Sequence, residues 1–295
     1  MHHTLILFLL FLTITGATVA RSSDLTELAP GLIIGENRAV TLAKGESLVE
    51  LARNEGLGFA TVQEANPELD PWLPPEGSRA ILSTFAVLPE ETSPGITINL
   101  AELRLYHVLS KESGFRVTLY PIGIGSDESE TPTGRFSIRS KIKKPWWTPP
   151  SRLRRERKLP RRVAPGPENP LGDYWMAISH NGIGIHGTNE PFGVGRRVSH
   201  GCIRLYNDDV AEIFSGAEKG TPVHIVYQPY KVGIRSGALF LEAHPDYQKK
   251  ISDPTREIQR QITAVGWKPE VSDKAILQVV NAALGIPRVI AQTHP

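Results

Sequence analysis

The chain has 295 residues, 40% of them hydrophobic, and a formal charge of +2 at neutral pH. That length suits two domains, or one large domain with additions, and the charge is too small for nucleic-acid binding across the whole surface. A single cysteine, Cys202, excludes an internal disulfide and a Cys-rich structural zinc site.

In chain order, Leu5 to Ile14 is a mostly apolar run followed by Thr15-Gly16-Ala17-Thr18-Val19-Ala20 and the polar Arg21-Ser22-Ser23. The run is too short to span a bilayer, and the small residues suit a signal peptidase, so residues 1–20 are expected to be a secretory signal cleaved after Ala20. His2 and His3 stand where Lys or Arg is usual, and an uncleaved anchor is the alternative. In an exported protein, a solitary cysteine serves some purpose other than a staple.

Residues 40–89 read as a compact module. Val40-Thr41-Leu42 predicts a short strand, and Ser47 in the turn Lys44-Gly45-Glu46-Ser47 can cap a helix carrying Leu48, Leu51 and Ala52. Gly56-Leu57-Gly58 breaks that helix. Thr61 to Ala65 predicts a second one ending at Asn66-Pro67, and Ala80-Ile81-Leu82 predicts a closing strand after the turn Leu73 to Gly77.

Residues 95–228 are strand-rich, with alternation at Ile96, Ile98 and Leu100, at Leu103 and Leu105, and at Val117 and Leu119. Further short apolar runs with Gly and Pro turns predict a mainly antiparallel sandwich or barrel-like domain. One helix is predicted from Asn207 to Phe214, capped by Asn207 or Asp208. An insert at 141–170 holds Trp146, Trp147 and a dense run of arginines from Arg152 to Arg162. It reads either as a solvated basic hairpin or as a flap with aromatic residues lining a groove. Residues 229–295 form an appended extension, where Ser272 or Asp273 caps a helix carrying Ala275, Ile276, Val279, Val280 and Ala283 before Gly285-Ile286-Pro287.

The chemistry concentrates in Ser199-His200-Gly201-Cys202-Ile203-Arg204 and, upstream, Ile185-His186-Gly187-Thr188. A free thiol has a pKa of about 8.5, and a neighbouring imidazole can form an ion pair with the thiolate and lower that value. His186 is therefore a candidate base for Cys202. The N–H groups of Gly201 and Cys202 are candidate oxyanion donors, and Arg204 is a candidate partner for a substrate carboxylate. Each has a plainer alternative: an inert buried thiol, a strand-end histidine, a structural ion pair. His180 and His224 read as structural. A catalytic zinc held by His186, His200 and Cys202 is a third possibility.

Taken together, His-Gly-Thr and Ser-His-Gly-Cys-Ile-Arg resemble the signature of the YkuD-type L,D-transpeptidases. Thr131-Pro132-Thr133-Gly134 with Phe136, Gly123-Ile124-Gly125, and Gly166 to Gly172 support the likeness, which covers about 95–228. The insert with Trp146-Trp147-Thr148-Pro149-Pro150 looks like the Gram-negative periplasmic ErfK/YbiS-like subgroup. Lys44-Gly45-Glu46-Ser47-Leu48, Leu51-Ala52 and Ala65-Asn66-Pro67 resemble a LysM module, which in other proteins binds N-acetylglucosamine chains.

The resemblance implies a YkuD-type β-sandwich catalytic domain, mainly β, with a small α+β LysM module and a short C-terminal α/β extension. It implies that Cys202 attacks a peptidoglycan tetrapeptide stem after its diaminopimelate residue, releases D-alanine and forms a thioester. An amine then takes the acyl group, from another diaminopimelate or from the lysine of an outer-membrane lipoprotein. His186 maps onto the base, and His200 onto a position that shapes the site or supports the oxyanion; Gly201 completes the catalytic set, with Ser199, Gly187, Thr188 and Arg204 as substrate contacts. In some members a Ser follows the base and orients it; here that position is Gly187, so a backbone carbonyl is a candidate orienter. The resemblance implies neither cofactor nor metal, stem peptides and glycan strands as partners, and a periplasmic location. The competing reading is a non-catalytic wall-binding protein that acts through its LysM module.

Overall fold

The structure is a computed structural model that describes residues 21–156, 158–179 and 182–293. The expected signal at 1–20 and His180 lie outside the described residues. Among the described residues, no helix is long and apolar enough to cross a membrane.

The centre of the molecule is mainly β. Strands Gly95–Asn99, Arg104–Lys111 and Gly114–Pro121 form an antiparallel meander, and Pro222–Val226 joins parallel to Gly95–Asn99. Gly134–Ser137 and Ser22–Leu25 complete a six-stranded sheet at its two edges. A second, four-stranded sheet runs Ser140–Lys143, Tyr174–Ala177, Gly184–His186, Ile203–Arg204. Between them lies the main core, including Ile98, Leu105, Ile122, Met176, Ile185, Ile203 and Leu205.

The strand alternation predicts one wet face, yet every residue of Gly95–Asn99 is buried. The reason is a second core on the other face, where Tyr106, Val108, Val117 and Leu119 pack against Ile34, Ala86 and Leu88. The predicted helix is present as Asn207–Gly216, but neither Asn207 nor Asp208 caps it. Its N-cap is Tyr206. The Asn207 amide is occupied elsewhere, donating to Thr188 O and accepting from Thr188 N.

The N-terminal module folds as strand Asn37–Thr41, helices Leu48–Asn54 and Phe59–Ala65, and strand Arg79–Ser83, the two strands pairing antiparallel. Ser47 does cap the first helix, in a reciprocal capping box with Glu50. Leu42, Leu48, Leu51, Val62 and Leu82 give the module its own core.

The C-terminal extension pairs Tyr230–Arg235, Ala238–Ala243 and Arg288–Gln292 in an antiparallel sheet, with helices Pro254–Ala264 and Asp273–Ala282 packed on it. All-antiparallel pairing makes it α+β in character rather than α/β. The helix Pro254–Ala264 was not anticipated, although Asp253 as N-cap followed by Pro254 is a local start signal.

A buried cluster of charges joins the three units. Arg104 pairs with Glu242 (2.7 Å) and Glu102 (3.2 Å), while Lys231 pairs with Glu102 (2.7 Å) and Glu242 (3.0 Å). His244 bridges Glu242 (3.0 Å) and Glu64 (2.8 Å), the latter on the module's second helix.

Candidate active site

Sheet register removes the sequence gap between His186 and the nucleophile motif. The strand Gly184–His186 pairs parallel with Ile203–Arg204, setting Ile185 beside Ile203 and His186 beside Arg204. Adjacent strands lie about 4.8 Å apart, so the residue before Ile203, Cys202, falls level with Gly184. On the other side His186 pairs with Trp175, and the two rings stack at 5.6 Å between centroids. A Cβ on Gly184 would come within 2.6 Å of the Trp175 ring, which is why a glycine stands there.

The nucleophile turn is fixed from several directions. The buried Ser199 hydroxyl donates to the Cys202 carbonyl at 2.6 Å. Gly201 has φ +95, a left-handed conformation that suits glycine. Its carbonyl accepts from the Thr131 hydroxyl (3.0 Å), which in turn accepts from Gly125 N (3.0 Å). Arg204 and Gly123 exchange both backbone hydrogen bonds at 2.8 Å. Among the described residues, no backbone acceptor is bonded to the N–H of Gly201 or Cys202, as oxyanion donors require.

His186 is buried, and its Nδ1 lies 2.6 Å from the Gly187 carbonyl. A carbonyl can only accept, so Nδ1 carries the proton and Nε2 keeps its lone pair. That bond fixes the tautomer and the tilt of the His186 ring. Burial drives the His186 pKa down to about 4, with the Gly187 bond opposing and the Arg204 charge assisting.

Burial likewise raises the Cys202 thiol above its ordinary value, against the pull of a Gly184 backbone hydrogen bond and the Arg204 charge. The expected lowering of the thiol pKa is therefore reversed. Desolvation disfavours both ions, the Cys202 thiolate and the His186 imidazolium alike. The Cys202 Sγ lies 3.6 Å from the Gly182 carbonyl, and among the described residues no hydrogen bond joins it to His186.

Cys202, His186, His200, Arg204 and Ser199 all line one cavity of about 690 Å³. His200 is exposed at its mouth. Arg204 holds Glu190 at 3.3 Å, while its buried Nε has no partner among the described residues. The insert supplies the opposite wall through Trp146, Trp147, Pro150, Leu153 and Arg162, which favours the flap reading over the solvated hairpin. The buried Asn169 amide ties that wall down by donating to the Pro145 (2.8 Å) and Ala164 (3.1 Å) carbonyls.

Two expected substrate contacts lie elsewhere. Gly187 is packed so closely that a Cβ would meet Asn207 Oδ1 at 2.2 Å. Thr188, bonded to Asn207, lines a neighbouring cavity of about 700 Å³. Both hold the end of the His186 strand. His224 sits on the strand Pro222–Val226 and does not line the Cys202 cavity. A zinc site at His186, His200 and Cys202 is not formed, because their ligating atoms do not converge. The one such convergent group among the described residues is Glu102, Glu242 and His244, whose carboxylates already hold Arg104 and Lys231. Nothing local in the motifs around Thr131 and Asn169 marks their roles, yet their buried polar side chains fasten the turn and the wall.

The family profile of the YkuD L,D-transpeptidase catalytic domain matches residues 93–225. The chain is 38% identical over 232 residues to the probable L,D-transpeptidase YcfS of Escherichia coli, covering 75% of this chain and 72% of that protein. It is 38% identical over 221 residues to the probable L,D-transpeptidase ErfK/SrfK of the same organism, covering 72% and 70%. It is 32% identical over 270 residues to the probable L,D-transpeptidase YbiS, covering 86% and 87%. The chain belongs to the YkuD-type L,D-transpeptidases, in their ErfK/YbiS-like branch. It is a transferase that acts on peptidoglycan.

Proposed function

We infer that Cys202 is the nucleophile and His186 the base of a periplasmic enzyme that works on tetrapeptide stems. The strand register that puts His186 beside Arg204 and Cys202 on one cavity carries this reading. As the stem carbonyl after diaminopimelate approaches Sγ, the thiol proton passes to His186 Nε2 and a C–S bond forms. The Gly201 and Cys202 amides stabilise the oxyanion, and Arg204, which lines the cavity and holds Glu190, meets a stem carboxylate. Collapse breaks the bond to D-alanine, whose nitrogen takes the proton from His186.

In the second step an incoming amine loses a proton to His186 and displaces the thiolate, which is reprotonated. The acceptor amine belongs to a diaminopimelate side chain or to a lipoprotein lysine. The wall polymer brings anionic stems, and Arg162 of the insert, on the cavity wall, suits that charge. In this reading residues 1–20 direct export, 40–89 are a LysM-like module that holds glycan strands, 95–228 are catalytic and 229–295 brace the whole. The test is D-alanine release from a purified tetrapeptide stem. Cys202→Ala abolishes it if the reading holds, and full activity in that variant overturns it.

A further inference from the structure

The module helix Phe59–Ala65 begins at Gly58, which has no side chain with which to cap it. The first N–H groups of a helix lack intrahelical acceptors and must find others. Here the acceptors come from the loop leading to the nucleophile: Phe59 N donates to Val194 O (3.5 Å) and Ala60 N to Gly195 O (3.2 Å). On the far side of Cys202, the Tyr206 hydroxyl donates to Leu57 O at 2.9 Å. The approach is close. Gly195 has φ +78, and a Cβ there would stand 2.1 Å from Phe59 N. The Arg196 guanidinium lies over the Phe59 ring at 4.1 Å and over Trp72 at 5.3 Å.

Both flanks of the Cys202 turn are thereby fastened to the same four module residues, 57–60. From Gly195 the connection runs directly into the site. Gly195 N donates to Ile122 O, and Arg196 O accepts from Ile124 N, both at 3.0 Å. Strand Arg197–Ser199 then pairs with Ile124–Gly125, and the Ser199 hydroxyl closes on the Cys202 carbonyl.

We propose that residues 57–60 are a brace that positions the Cys202 turn, so that the N-terminal module sets the rate of acylation as well as any hold on the wall. The proposal rests on Cys202 being the nucleophile. Phe59 and Tyr206 are positioning residues, since neither lines the Cys202 cavity.

The test uses the full-length enzyme with Phe59→Ala, Tyr206→Phe and the conservative Phe59→Tyr. It measures kcat and KM for D-alanine release, the pH profile of Cys202 alkylation by iodoacetamide, and Tm. Displacing reacting groups by about 1 Å costs up to about 100-fold, so Phe59→Ala is expected to lower kcat about 10- to 100-fold with KM little changed. Its alkylation profile shifts along the pH axis, and Phe59→Tyr recovers most of the turnover. Tyr206→Phe removes one hydroxyl and gives a smaller loss of the same kind, which keeps the test intact if Phe59→Ala does not fold. Unchanged kcat and alkylation in both variants, whatever Tm does, overturns the brace, as does a rise in KM alone. Full turnover in Cys202→Ala would instead overturn the nucleophile assignment, an outcome that no Phe59 or Tyr206 variant can produce.

Discussion

Two histidines, each buried to within 4% exposure or less, sit in opposite electrostatic surroundings. His186, in the cavity wall, has a carbonyl and a stacked indole for neighbours and is pushed down to about 4 by burial. For His244, at the junction of the three units, burial also acts downward, but Glu64 and Glu242 outweigh it and raise the pKa to about 9. Desolvation is common to both, and the number of carboxylates within reach decides the sign. One region keeps its groups neutral and ready to exchange a proton. The other keeps them charged and locked.

The largest expected effect breaks the neutral pair. His186→Ala should cost at least about 1,000-fold in kcat for D-alanine release, in line with losing a base that acts as a unit with its nucleophile. Next comes the locked region. Glu242→Ala leaves Arg104 and Lys231 buried with one carboxylate fewer, and a broken buried network of this kind costs about 3–5 kcal/mol. Chemical denaturation would register that loss, and a cost under about 1 kcal/mol would mean that the junction is wet.

Stability against pH sharpens the contrast further. The contribution of His244 is fully present below its ordinary value of 6.5 and is lost as pH rises through about 9. His186 acts in the other direction. Kept neutral in the fold, it costs nothing above 6.5 and destabilises as pH falls from 6.5 toward about 4. Denaturation midpoints of His244→Gln and wild type should therefore converge at high pH and diverge near neutrality. The same shift of His186 keeps the base competent in mild acid, so the acid limb of kcat/KM should fall near pH 4 rather than 6.5. The smallest effect expected is at the insert. Asn169→Ala removes the two N–H donors that hold the buried Pro145 carbonyl and the half-buried bond to Ala164, at about 1–3 kcal/mol, and should raise KM more than it lowers kcat.

How much of this was legible beforehand depends on the range of the interactions. The Ser47 cap was readable because a capping box spans only four consecutive residues. Cys202, His186 and Arg204 were readable because their motifs are contiguous, and the sheet then joined them. Asn207 carried a cap signal that tertiary structure overrode by engaging its amide with Thr188. The junction was not readable, since Glu64, Glu102, Lys231 and His244 are scattered along the chain and each alone reads as a surface charge. The brace was hidden for the same reason: a helix that begins at a glycine gives no sign that another unit's carbonyls will cap it. The reversed thiol shift was missed because motif reasoning counts neighbours and not burial.

The most direct measurement is peptide-level mass spectrometry of the full-length enzyme after brief mixing with a tetrapeptide stem. The account predicts an adduct on the Cys202 peptide equal to the stem less D-alanine, which disappears when an amine acceptor is added. A stem consumed at full rate with Cys202 never modified, or with the acyl group on another residue, would contradict it.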